Sequence, residues 1–191
     1  MKNQSYQKTM LDIQALIEKG DWQASWQALC LADAKYPNKP VILTAMGDCQ
    51  IHMDKPQAAV PLFARVTELE PKSVEAYNNL GVAYMFTGDF ANAESTYLEA
   101  LQFVPNHFQT LKNLAFLYYQ QLDRLGDAVK ILASLIRSNP SDGESLFLLG
   151  QCYEMGGDST SARQCYERVL VHQPENSLAL EALNNLRHNK E

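Results

Sequence analysis

Between Val74 and Val104 the apolar residues recur with a helical spacing. Tyr77, Leu80, Gly81 and Tyr84 fall at i, i+3, i+4 and i+7, and Phe90, Ala93, Tyr97, Ala100 and Leu101 place a second set on one face. Thr87-Gly88-Asp89 lies between the two stretches and supplies a glycine to end one helix and an aspartate to cap the next. The pattern predicts an antiparallel helix pair. Gly81 and Ala93 lack bulk, so the helices approach closely and the tyrosines fill the space between them.

The same pattern recurs along nearly the whole chain. Pro37, Pro71, Pro105, Pro140 and Pro174 are separated by 34, 34, 35 and 34 residues. Ser25, Ala59, Ala93, Ala128 and Ala162 each stand 12 residues before one of them. Gly47, Gly81, Ala115 and Gly150 follow Met46, Leu80, Leu114 and Leu149, and tyrosines come three residues later at Tyr84, Tyr118 and Tyr153, with Gln50 in the remaining slot. A fixed period of this length marks a repeating helix-pair unit whose apolar face is buried only by its neighbours. The units are 6–39, 40–73, 74–107, 108–142 and 143–176, and 1–191 reads as a single array. The first is the weakest match, with Asp12 and Ile13 at the leucine and small-residue positions. Residues 177–189 read as a capping helix. Leu183 and Leu186, flanked by Leu178 and Leu180, are expected to cover the last hairpin, while Glu181, Asn184, Asn185 and His188 face water.

Two irregularities give definite expectations. The extra residue of the fourth unit is expected in the turn 121–126, lengthening that hairpin loop without a bulge in either helix. Pro56 suits the first turn of a helix, whereas Pro61, a turn further in, is expected to kink it or delay its start.

Tyr77, Leu80, Gly81, Tyr84, Ala93, Tyr97, Ala100 and Pro105 stand at the signature spacing of the tetratricopeptide repeat, which the chain resembles over most of its length. The resemblance implies an all-α fold, a right-handed α-solenoid of about five helix-turn-helix units plus a C-terminal capping helix. It also implies that the first helix of each pair lines a concave groove that binds a peptide or helix of another protein. The groove candidates are Asp48 and His52 in the second unit, then Asn78, Asn79, Val82 and Phe86 in the third. The fourth offers Gln109, Lys112, Asn113 and Phe116, and the fifth Phe147 and Gln151. Phe86, Phe116 and Phe147 are either anchors for a ligand or fillers of helix joints. Asn79 and Asn113 form a two-rung amide ladder, of the kind that similar arrays in glycosyltransferases carry over many repeats. The carboxylate clamp of chaperone co-factors needs three basic residues. Both registers lack them: one gives Thr44, Asp48, Asn79, Gln109 and Asn113, the other Asn78, Val82, Asn113, Glu144 and Leu148.

Composition narrows the partners. Net charge is −6 and no Lys/Arg block exists to displace counterions from a phosphate backbone, so nucleic acid is not an expected partner. Residues 1–20 lack the apolar core of a signal peptide, and no membrane span is present. Cys30, Cys49, Cys152 and Cys165 sit within helical patterns and form no C-x-x-C pair, so they read as small hydrophobes in a cytoplasmic protein. Asp48, Cys49 and His52 are too few for a structural metal site, and no catalytic signature is found. Asp89 and Asp158 read as helix caps.

The expectation is a scaffold or adaptor with a protein or peptide ligand, no cofactor, no metal and no catalytic residue. Alternatives are a substrate-recognition module of a larger enzyme such as a glycosyltransferase, or a homo-oligomeric scaffold. The polar ending 187–191 is expected of a natural terminus.

Overall fold

The computed structural model describes residues 2–121 and 124–188, and every regular element among them is a helix. They fall into two compact units, Met1–Pro105 and Asn106–Glu191. The first holds α1 (Lys2–Glu18), α2 (Trp22–Lys35), α3 (Pro40–His52), α4 (Pro56–Leu69), α5 (Val74–Thr87) and α6 (Phe90–Phe103). The second holds α7 (Phe108–Gln120), α8 (Leu125–Ser138), α9 (Gly143–Met155), α10 (Ser159–His172) and α11 (Ser177–His188). Within each unit every helix packs on the next in the chain, and the first helices of adjacent pairs also touch, α3 on α5 and α7 on α9.

The helix ends follow from their sequences. Asp21, Ser73, Asp89, Asp142 and Asp158 accept the amide of the residue three further on at 3.0–3.2 Å, so Asp89 and Asp158 are caps as expected. Pro40 and Pro56 occupy first turns, where a missing N–H has no intrahelical partner to lose. Gly88 ends α5 with φ at +77°, a conformation that costs a glycine little.

Each pair is held by small residues meeting large ones. Ala59, Ala93, Ala128 and Ala162 are fully buried on the second helices, with Phe63, Tyr97, Leu132 and Tyr166 a turn further along, equally enclosed. In the weak first unit Ile13 is buried with Leu29 in a cluster that reaches Ile42, Leu43 and Met46 of α3. Burying one such side chain contributes about 2 kcal/mol.

Three expectations need correction or restriction. α4 runs unbroken from Pro56 to Leu69, with Pro61 inside it and no delayed start. Pro61 lies on an exposed side, and so does Gln57, whose carbonyl loses its amide partner to the ring and is left to water. On α11, Ala179, Leu183 and Leu186 are buried, but Leu178 is 59% exposed and Leu180 44%. The covering face of that helix is a single stripe at i, i+4 and i+7, which leaves 178 and 180 outside it. Glu181, Asn184 and Asn185 are exposed as expected, and the side chain of His188 and all of Asn189 lie outside the described residues. The loop between α7 and α8 spans 121–124, longer than any other hairpin loop here, and both flanking helices are continuous. Its Leu122 and Asp123 lie outside the described residues.

Candidate functional site

The first helices present two candidate faces, one in each unit. In the first unit the face belongs to α3 and α5. Asp48 and His52 are a turn apart on α3 and both are exposed. The ring of His52 stacks on Trp22 of α2, with centroids 3.9 Å apart and planes 4° from parallel. This ties the end of α3 to the start of α2 and gives the imidazole a packing role. Crowding by surrounding protein raises the Asp48 carboxyl above the usual range, and His52 opposes the shift. On α5, Asn79 and Val82 are half-buried and Phe86 is 61% exposed. Asn78 is only 8% exposed and engaged, so it is part of the packing rather than the open face.

In the second unit the face belongs to α7 and α9, and the two helices enclose an open depression of about 240 Å³. Gln109, Lys112, Asn113 and Phe116 line one side, at i, i+3, i+4 and i+7. Glu144, Ser145, Leu148 and Gln151 line the other. Gln109 donates to Asn113 Oδ1 at 3.1 Å. Lys112 bonds Glu144 across the depression while its ammonium lies 5.3 Å from the centre of the Phe108 ring. Phe116 is 42% exposed. The hydroxyl of Ser145 is fully buried with no hydrogen-bond partner. Phe147 does not belong to the open face. Its ring packs 5.3 Å from that of Tyr166, in the cluster of Ala162, Leu183 and Leu186.

The two corrected residues share a cause. Asn78 and Phe147 are each the fifth residue of a first helix, the position also held by Thr44 and Lys112, and none of the four is exposed. At that position Lys112 reaches Glu144 on α9, and Phe147 packs on Tyr166 of its own hairpin, against the cluster that holds Leu183 and Leu186 of α11.

One pair escaped the sequence reading. The buried Tyr166 hydroxyl donates to Glu154 Oε2 at 2.8 Å. Glu154 stands where the other first helices carry Ile17, Ile51, Met85 and Tyr119. A carboxylate interrupting an apolar column was the available signal.

Three of the four cysteines are buried and the fourth, Cys30, half-buried. Burial raises all four thiols, Cys49 and Cys152 to about 11, which fits apolar filling rather than nucleophilic or ligand chemistry. Among the described residues no helix is long and apolar enough to cross a membrane.

Comparison with known proteins agrees with this geometry. The chain is similar to Protein O-mannosyl-transferase Tmtc3 of Drosophila melanogaster, with 33% identity over 120 residues, 62% of this chain and 13% of that protein. It spans 13% to 28% of the lengths of eight curated relatives that it matches. Among solved structures, a tetratricopeptide repeat protein from Parabacteroides merdae superposes with a TM-score of 0.79 at 20% identity, over 96% of this chain and 72% of that one. YrrB, described as a TPR protein with an unusual peptide-binding site, gives 0.68 at 14% identity over 89% and 87%. The family model for the tetratricopeptide repeat matches residues 47–107 and 113–185. With most of its length matched and its helix pairs built on that period, the chain belongs to the tetratricopeptide repeat family.

Proposed function

We propose that the chain is a scaffold or adaptor that binds a segment of another protein along the exposed faces of its first helices. The carrying observation is the depression between α7 and α9, where two helices each turn four residues at helical spacing toward a common space. Phe116 offers an exposed ring there, and Gln109, Asn113 and Gln151 offer amides able to meet a peptide backbone from either side. Phe86, with Asn79, Val82, Asp48 and His52, provides the corresponding face on α3 and α5. A cytoplasmic setting suits the four free thiols. This reading assigns binding, and no chemistry, to both faces.

The test is crosslinking and mass spectrometry on proteins captured with this chain from its native cell, run beside the Phe86→Glu/Phe116→Glu variant. Loss of partners from the variant is expected. Retention of every partner by a folded variant would sink the reading.

A second reading has one observation in its favour, the similarity to an O-mannosyl-transferase much longer than this chain. Under it the repeats are the recognition segment of an enzyme. Immunodetection of the polypeptide in its own cells decides: a product far larger than 191 residues favours this reading, and one of that size removes it.

A further inference from the structure

At the C-terminal ends of α7 and α9, a second open depression of about 550 Å³ is lined by Tyr119, Gln151, Glu154 and Met155. Gln151 borders this depression and the one described above, so a peptide lying along α7 and α9 passes from one into the other. The Phe116 ring lies 6.1 Å from that of Tyr119, adding a second aromatic face at the rim. Met155 is 46% exposed and supplies a polarisable edge.

The single carboxylate in this cup is held in place. Tyr166 is fully buried, and its hydroxyl fixes one oxygen of Glu154 at 2.8 Å. A carboxylate has about four acceptor sites, so the group keeps capacity for further donors. None of the four residues that line the cup is cationic. Lys112 is bonded to Glu144, and Arg124 to Asp127 at 2.9 Å, with its guanidinium over the Tyr118 ring. A fixed carboxylate beside aromatic faces and a thioether, with no cation among the described residues that line the cup, is complementary to a positive charge on an apolar stem.

We propose that this cup receives an arginine or lysine side chain of the partner segment, its charge against Glu154 and its stem against Tyr119, Phe116 and Met155. The inference rests on the peptide-binding reading above and adds the chemical character of the peptide. Glu154 is then the specificity-determining residue of the second unit. It explains why a carboxylate replaces the apolar residue found at this position in the other four pairs.

The test uses the full chain and a random-sequence peptide library displayed on messenger RNA. Peptides selected by the wild type are expected to be enriched in arginine or lysine at one register. Replacing that residue by glutamine is expected to weaken binding about fivefold. Glu154→Gln keeps an oxygen to accept the Tyr166 hydroxyl. It should weaken the basic peptide by the same factor and leave the glutamine peptide unchanged. Selected peptides without basic enrichment, or equal loss on both peptides, would overturn the proposal. Leu148→Arg, in the neighbouring depression, separates the two ideas. If it leaves binding intact, or if no peptide is selected by the wild type, the groove reading falls and takes this one with it. If it abolishes binding while Glu154→Gln shows no preference, only the proposal about the basic side chain fails.

Discussion

A Cβ added to Gly81 would lie 2.4 Å from Cε1 of Tyr97, so the ring of the second helix rests on bare backbone of the first. The same relationship joins Gly150 to Tyr166, at 2.4 Å, and Gly47 to Phe63, at 2.5 Å. Where the first helix carries a larger residue, the second carries a smaller one: Ala115 is matched with Leu132, and Ile13 with Leu29, all of them buried. The five pairs keep one interface by trading volume across it.

Gly81→Ala should therefore destabilise the protein by about 1–3 kcal/mol through overpacking, an effect partly offset by the better helix propensity of alanine. Tyr97→Leu alone leaves a cavity and is also destabilising. The two together recreate the pairing of Ala115 with Leu132. The double variant should be more stable than the sum of the single changes by about 1 kcal/mol or more. Chemical denaturation of the four proteins measures the coupling, and simple additivity would contradict the volume-trading account.

This interface is also why so much of the fold was legible. Its small positions, its tyrosines and the closing prolines are local signals at a fixed period, and each retains its meaning in every unit. Departures arose where a neighbour outside the unit decides the outcome. Leu178 and Leu180 look like covering residues, yet the buried stripe is Ala179, Leu183 and Leu186, of which Leu183 and Leu186 cluster with Ala162 and Tyr166 of α10. The open faces were less legible than the joints. Phe86, Phe116 and Phe147 are alike in sequence, but they stand at the thirteenth, ninth and fifth positions of their helices. Only Phe147, at the fifth, packs into a cluster with Tyr166, Leu183 and Leu186. Glu154 was overlooked because its tyrosine partner arrives from another helix.

Two classes of phenylalanine should separate experimentally. Phe147→Ala removes a ring packed on Tyr166 and should cost about 2–4 kcal/mol. Phe86→Ala and Phe116→Ala remove rings that are 61% and 42% exposed, and each should change stability by less than about 1 kcal/mol. Denaturation midpoints report all three. A Phe116 variant as unstable as the Phe147 variant would make that ring a filler and deprive the groove of its anchor.

Asp158 carries a pH-dependent share of stability. Hydrogen bonds from the Ser161 side chain, then from its backbone amide, hold the carboxyl below its ordinary range. A depressed folded value means that the cap acts fully above about pH 4, the unfolded value, and is lost as pH falls through the lower folded one. Asp158→Asn retains an oxygen to accept the Ser161 amide but has no charge to titrate. Thermal midpoints of the two proteins should lie close together near neutrality. Below about pH 4 the wild type should lose stability faster, so that the curves converge or cross. Parallel curves across the whole acid range would show that Asp158 is not held in its charged form by the fold.

The stack of His52 on Trp22 adds a contact between nearly parallel rings to the packing of two helices from different pairs. Such a pair contributes about 0.5–1.5 kcal/mol beyond the area it buries. The chain has two tryptophans, so Trp26→Phe leaves Trp22 as the only indole reporter. In that background His52→Ala should shift the emission of Trp22 to the red, because water reaches the uncovered face, and should lower stability by about 1 kcal/mol. His52→Phe restores an aromatic face and should recover most of both changes, since what Trp22 requires is a flat partner rather than a titratable one. If His52→Ala leaves the emission and the denaturation midpoint where they were, the stack does not hold α3 to α2.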